Sequence, residues 1–243
     1  MNRREMLTCF GTAGAGLTLG GMALAAEDHS ENAAHGGNPQ GPLHSGHVHF
    51  CGIHIAKKDP KIQIITQHFC AARSTDEHGD AMFQCMLFDK AADNAKLLGV
   101  EYVITETTYR QLSDGEKKYW HPHTYEVLGG MLIAPGMDAG EEQNFMKTIL
   151  TTWGKAWHTW PDPNTAVPVG EPLLIWSLTG DAQADESVVA KRDRQYNVST
   201  ALVRERRGRE LGLQVPQVSL PKSMDALGRK WADDGDDMPT QRK

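Results

Sequence analysis

HVHFCGIHIA, residues 47–56, alternates polar and apolar side chains along most of its length. Successive side chains of a strand point to opposite faces. The stretch therefore predicts a strand with His47, His49 and Cys51 on one face and His54 on the other. Working outward, IQIITQHFC (62–70), MFQCMLFD (82–89) and VEYVITE (100–106) have the same character. Residues 125–134, 157–159 and 173–179 complete a set of strands, several separated by Gly, Pro or Asp turns.

Helices are fewer. Ser113-Asp114-Gly115-Glu116 is a capping box that opens a short helix to about Trp120. Residues 139–152 begin a segment with Phe145, Met146, Ile149, Leu150 and Trp153 at helical spacing. Residues 186–196 and 200–211 read as surface helices, the second with Ser199 as N-cap. Strands joined by short turns, with helices inserted singly, predict an α+β fold: a largely antiparallel β-sheet with a few packed helices in a single domain.

The ends of the chain read differently. Arg3 and Arg4 precede a weakly apolar stretch, Leu7 to Leu24, interrupted by five glycines, and Ala23-Leu24-Ala25 has the small-x-small pattern of a cleavage site. This predicts a signal peptide over 1–25, similar to twin-arginine signals, and export to the periplasm or beyond. Residues 26–46 read as a flexible polar leader, 47–210 as the domain and 211–243 as a C-terminal extension. No apolar run in the mature chain is long enough to predict a transmembrane segment. A net charge of −6 and a pI near 6.0 argue against a nucleic-acid binder. Cys9 leaves with the signal. Cys51, Cys70 and Cys85 remain, and three thiols allow at most one internal disulfide, whose pairing the sequence leaves open.

The chain is histidine-rich at its start: six of 11 His lie between His29 and His54. The strongest chemical pattern is further on, in YWHPHTYEV (119–127). His121 and His123 share a strand face, and Glu126 follows. Two neutral nitrogens and one carboxylate oxygen, with room for water, suit a divalent transition metal such as zinc, iron or copper. Strict alternation would put Glu126 on the face opposite His123. His49, His54 and His68 are further candidate ligands. The plainer reading makes His121 and His123 exposed residues after a capped helix, and places His68 and Cys70 on a mostly apolar core face. Glu101 falls on a strand and, if buried, needs a partner, either Arg110 or a metal. His158 lies among Trp153, Trp157 and Trp160, which reads as a core lid. The basic run at 204–209 reads as a solvated face. No Gly-x-Ser-x-Gly elbow, phosphate-binding loop or His-Glu-x-x-His occurs.

A series of strings appears in order: HFC with His54 (49–54), HFC (68–70), QCMLFD (84–89), KLLGVEYVI (96–104), EKKYWHPHTYEV (116–127), WGK (153–155), HTW (158–160) and VPVGEP (167–172). Together they resemble the oil body-associated protein-like family, a former domain of unknown function, over roughly residues 48–200. The resemblance implies that one domain carries these His, Cys and Glu residues together. It supplies no activity, and the seed oil-body setting of the plant members does not transfer to an exported chain. The expected function is an exported protein of unknown activity that binds a divalent metal through His-x-His. The alternatives are a metal-dependent enzyme, hydrolase or oxygenase-like, and a lipid-surface or protein-interaction module without metal. The lipid reading rests on the segment at 139–152, whose apolar face is expected to be core.

Overall fold

The computed structural model describes residues 46–75 and 81–213, so the signal peptide, nearly all of the leader and most of the C-terminal extension lie outside the described residues. Six strands form a ring: β1 (Val48–Ala56), β2 (Asp59–Thr75), β3 (Ala81–Phe88), β4 (Leu97–Thr105), β6 (Thr152–His158) and β7 (Leu173–Trp176). A two-residue β5 (His121–Pro122) lies against β6. The hydrogen-bonded order runs β4-β3-β2-β1-β7-β6, and β4 pairs back onto β6 from Gly99↔His158 to Thr105↔Thr152. Each of these pairings is antiparallel.

The molecule is thus a closed antiparallel barrel with a few helices, which corrects the expected α+β sheet packed by helices. Alternation along one strand reports its two faces, whereas closure depends on which distant strand it meets. At the β4–β6 seam a Cβ on Gly99 would lie 1.8 Å from the Trp157 carbonyl oxygen, so glycine is needed for the strands to approach.

The barrel core includes Phe50, Cys70, Phe83, Leu87, Val103 and Ile175, with Phe145, Met146 and Ile149 of the helix Ala139–Ile149 packed into the same cluster. A second core lies on the other face of β1, β6 and β7. It joins Ile53, Ile55, Trp153 and Trp176 to Tyr109 and Tyr125. Residues 50–56 of β1 are consequently buried on both faces despite their alternating sequence. Cys70 and Cys85 are direct partners across β2 and β3 and form a disulfide; Cys51 is buried and free.

The helices modify several expectations. An unforeseen α1 (Glu106–Gln111) follows β4 directly, with Thr105 as its N-cap. The capping box works through Ser113, which accepts from Glu116 N, but α2 (Asp114–Lys117) is shorter than expected. Residues 125–134 are not a strand. They begin within α3 (Thr124–Leu128), which is too short to display a helical period, and only Ile133 bridges back to Cys51. Helix α4 (Ala139–Ile149) is capped by Asp138, and Trp153 belongs to β6 in spite of its helical spacing. Helices α5 (Glu186–Tyr196) and α6 (Thr200–Leu211) have the expected bounds.

The basic run on α6 is not wholly solvated. Arg207 is buried and donates to the Val127 and Leu132 carbonyls at 2.7 and 2.8 Å and to Glu142 at 2.8 Å. Arg192 of α5 is also buried and donates to the carbonyls of Gly130 and Met131. These two arginines anchor the loop after α3. Among the described residues, no helix is long and apolar enough to cross a membrane.

Candidate metal centre

The site is assembled where β5 meets β6. The pairing His121↔Gly154 sets His121 over Gly154, and His123 is the N-cap residue of α3. Across the β4–β6 seam Glu101 faces Ala156, with Gly154 diagonally placed on the same side. Small residues at 154 and 156 leave space for three long side chains. Glu101 Oε1 lies 3.1 Å from His121 Nε2 and 3.4 Å from His123 Nε2. A Cβ on Gly154 would sit 2.1 Å from Glu101 Oε1 and 2.7 Å from each of the two Nε2 atoms. The three donor atoms therefore pack directly over Gly154, where any side chain would collide with them.

Hydrogen bonding assigns the His123 tautomer. Thr152 Oγ1 donates to the Ile149 carbonyl at 2.8 Å, which commits its one proton. Its 2.7 Å contact with His123 Nδ1 must then be accepted from Nδ1–H. That spends the Nδ1 proton on Thr152 and turns Nε2 toward Glu101 Oε1. A cation between that nitrogen and the carboxylate would satisfy the lone pairs of both, with Thr152 as the outer partner that orients the ring.

The other carboxylate oxygen faces a second set of imidazoles. His68 Nε2 lies 3.4 Å from Glu101 Oε2, His54 Nε2 lies 2.7 Å from His68 Nε2, and His54 Nδ1 lies 3.0 Å from His158 Nε2. All are buried. Burial pushes the His68 imidazole down to about 4 and that of His158 to about 3, and holds His54 well below its usual range, so these rings are neutral near pH 7. Burial alone would raise the Glu101 carboxyl, but the imidazoles of His121, His123 and His68 outweigh it and hold the group well below the usual carboxylate range. Arg110, a partner anticipated for Glu101, instead pairs with Glu106 at 2.8 Å. Glu101 is therefore a buried anion surrounded by imidazoles.

Glu126 lies on α3, three residues after His123, so helical rather than strand geometry brings it near; its Oε1 is 3.9 Å from His123 Nε2. Burial pushes its carboxyl up to about 7. A cavity of about 30 Å³, enough for a water or two, is bordered by His68, Glu101, His123 and Glu126 and by the Cys70–Cys85 disulfide.

The structure thus gathers His54, His68, His121, His123 and Glu126 of the anticipated residues. His49 does not join them: it stacks on Phe69 with ring centroids 4.8 Å apart and bonds Gln67 at 3.0 Å. His158 is part of the buried histidine chain rather than only a lid. Glu101 becomes the centre of the site, and its signal was a lone carboxylate in an apolar strand. Gly154, inside the strand sequence TWGKAWH, was the other signal, since an interior strand glycine often marks a close approach.

Fold and site define a closed antiparallel barrel whose buried His/Glu groups, Glu101 with His121 and His123 and Glu101 with His54 and His68, can hold a metal ion. The chain belongs to the family described as Protein of unknown function (DUF1264), which matches residues 40–210. It is 32% identical over 203 residues to Oil body-associated protein 1A of Zea mays, covering 76% of this chain and 83% of that one. It is 32% identical over 177 residues to Oil body-associated protein 1B of Arabidopsis thaliana, covering 71% of each, and 36% identical over 141 residues to protein 2C of that plant, covering 57% and 58%. No solved structure matches the chain.

Proposed function

We propose that the protein is an exported barrel that binds a divalent transition metal through Glu101 Oε1, His121 Nε2 and His123 Nε2. The mutual approach of these three buried donor atoms, all within 4.8 Å of one another, carries the reading. An ion ~2.0–2.1 Å from each ligand in tetrahedral geometry separates them by roughly 3.3 Å. The carboxylate-to-imidazole distances of 3.1 and 3.4 Å are close to that spacing. Two imidazoles and a carboxylate suit zinc or iron, and the only thiol among the described residues, Cys51, is not part of the group. The twin-arginine-like start, with the organisation 1–25, 26–46, 47–210 and 211–243, supports export, and the Cys70–Cys85 disulfide suits an oxidising compartment. Metal analysis of the exported protein tests the reading. At least one equivalent is expected, and less than about one-tenth of an equivalent overturns it.

A second reading is turnover at the same centre. Three protein ligands leave a coordination position open, and Glu126, with its carboxyl raised to about 7, is placed for proton transfer. The adjacent cavity, about 30 Å³, favours a substrate the size of water or dioxygen over a bulky ester or peptide. Glu126→Gln that kept its metal but lost peroxide or dioxygen consumption would favour this reading; a metal-loaded wild type inert to both would remove it. The relatives' names speak of oil bodies, but α4 turns Phe145, Met146 and Ile149 into the core, and this leaves a lipid-surface role without its best candidate element.

A further inference from the structure

We infer that the barrel holds a second ion, with Glu101 as the bridge: Oε1 serves the ion held by His121 and His123, and Oε2 serves an ion held by His54 and His68. The inference rests on the single-ion reading above and extends it to a dinuclear centre. Its first support is the division of the carboxylate. Each oxygen faces its own imidazoles, with His121 and His123 on Oε1 and His68 on Oε2. His54, His68 and Glu101 form a second compact donor group sharing only Glu101 with the first. Carboxylate bridges of this kind occur where two ions lie ~3.5–4 Å apart.

The second support is the outer shell. A histidine that binds metal through one nitrogen usually donates the other N–H to a fixed acceptor. His123 does so to Thr152. His54 is placed for the same arrangement: its Nδ1 meets His158 Nε2 at 3.0 Å while its Nε2 points at His68, so the tautomer with the proton on Nδ1 donates to His158 and frees Nε2. His158, which contacts neither carboxylate oxygen at bonding distance, thereby acquires a role: it holds the ring of His54.

Space is the third consideration. The 2.7 Å separation of His54 and His68 suits a shared proton, and an ion between them requires the rings to part by roughly 0.5 Å, toward the ~3.3 Å spacing of tetrahedral ligands. Room exists on both sides of His68. The cavity borders it, and Gly52 presents no side chain where a Cβ would approach its Cε1 to 3.4 Å. On binding, the proton of His68 Nε2 moves to Nδ1, so both rings stay neutral and each offers one bare nitrogen.

The test is stoichiometry on the full mature chain, stripped with a chelator and titrated with Mn²⁺ or Co²⁺. The dinuclear centre predicts two equivalents bound in the wild type, an exchange-coupled Mn²⁺ pair by electron paramagnetic resonance, and one equivalent with an uncoupled signal in His54→Gln or His68→Gln. One equivalent in the wild type overturns the second ion and leaves the first intact. Two equivalents with isolated signals overturn the bridge. No binding at all overturns both readings. Since the wild-type titration and spectrum decide these cases, they do not depend on whether a variant folds.

Discussion

Thr152 accepts the Nδ1 proton of His123 at 2.7 Å while spending its own proton on the Ile149 carbonyl. One hydroxyl thus joins the end of α4, the start of β6 and an imidazole of the candidate metal centre. Thr152→Val keeps the shape and removes both bonds. Loss of such an outer partner lowers metal affinity by about 10–100-fold. Competition against a chromophoric chelator should show that weakening in Thr152→Val and little change in Thr152→Ser. Equal affinities in all three proteins would mean that the ring is held by something else.

Gly154→Ala places a methyl 2.1 Å from Glu101 Oε1, where something must move. Overpacking in a filled core costs ~1–3 kcal/mol. The variant should denature at lower urea concentration and carry no ion at the His121–His123 site. Wild-type metal content in Gly154→Ala would show that the ion does not sit above residue 154.

The Cys70–Cys85 bond closes a loop with a sequence separation of 15. Loops of that size are worth ~3 kcal/mol in the chain-entropy account. Differential scanning calorimetry with and without reductant should show a lower melting temperature for the reduced protein. Thiol titration of the denatured, unreduced protein made without residues 1–25, and so without Cys9, should find one thiol, Cys51. Three thiols would mean that the disulfide is absent in solution.

The buried histidines make the metal-free protein sensitive to acid. His68 and His158 titrate at about 4 and about 3 in the fold, against an ordinary value of 6.5. Between those limits the unfolded chain binds more protons. Their contribution is therefore fully present above pH 6.5 and is lost as pH falls toward 4 and then 3, by ~1.4 kcal/mol per pH unit for each net proton. Glu126 acts in the opposite sense. Its folded value of about 7 exceeds the ordinary 4.5, so it favours the fold below 4.5 and loses that contribution as pH rises through 7. Urea denaturation between pH 8 and 5 should show stability declining toward acid, more steeply in Glu126→Gln. A flat profile in that variant would mean that the rings are solvated.

The sequence disclosed the strands whose neighbours impose a face. The HFC strings of β1 and β2 and the QCMLF string of β3 read correctly because their side chains alternate between two environments. Helices α5 and α6 read correctly because Ser199 caps the second and each is long enough to display its period. What stayed hidden depends on contacts distant in the chain. Nothing in Val100–Ile104 says that Glu101 will meet His121, because the β4–β6 seam brings in residue 154 from beyond α4. Residues 124–128 make a single helical turn, and the false alternation across Tyr125 and Val127 sent Glu126 to the wrong side of the site. Trp153 shows the converse: its spacing from Ile149 satisfies a helical period, yet the chain has already entered β6.

Closure of the ring has a kinetic consequence. The ligands span the chain from His54 on β1 to His123 beside β5, with the supporting His158 at the end of β6, and they meet inside a barrel whose cavity there is about 30 Å³. An ion held there as proposed would leave only as strands part, and its exchange would be as slow as barrel opening. A metal bound as proposed would then be set by the ions present where the chain folds.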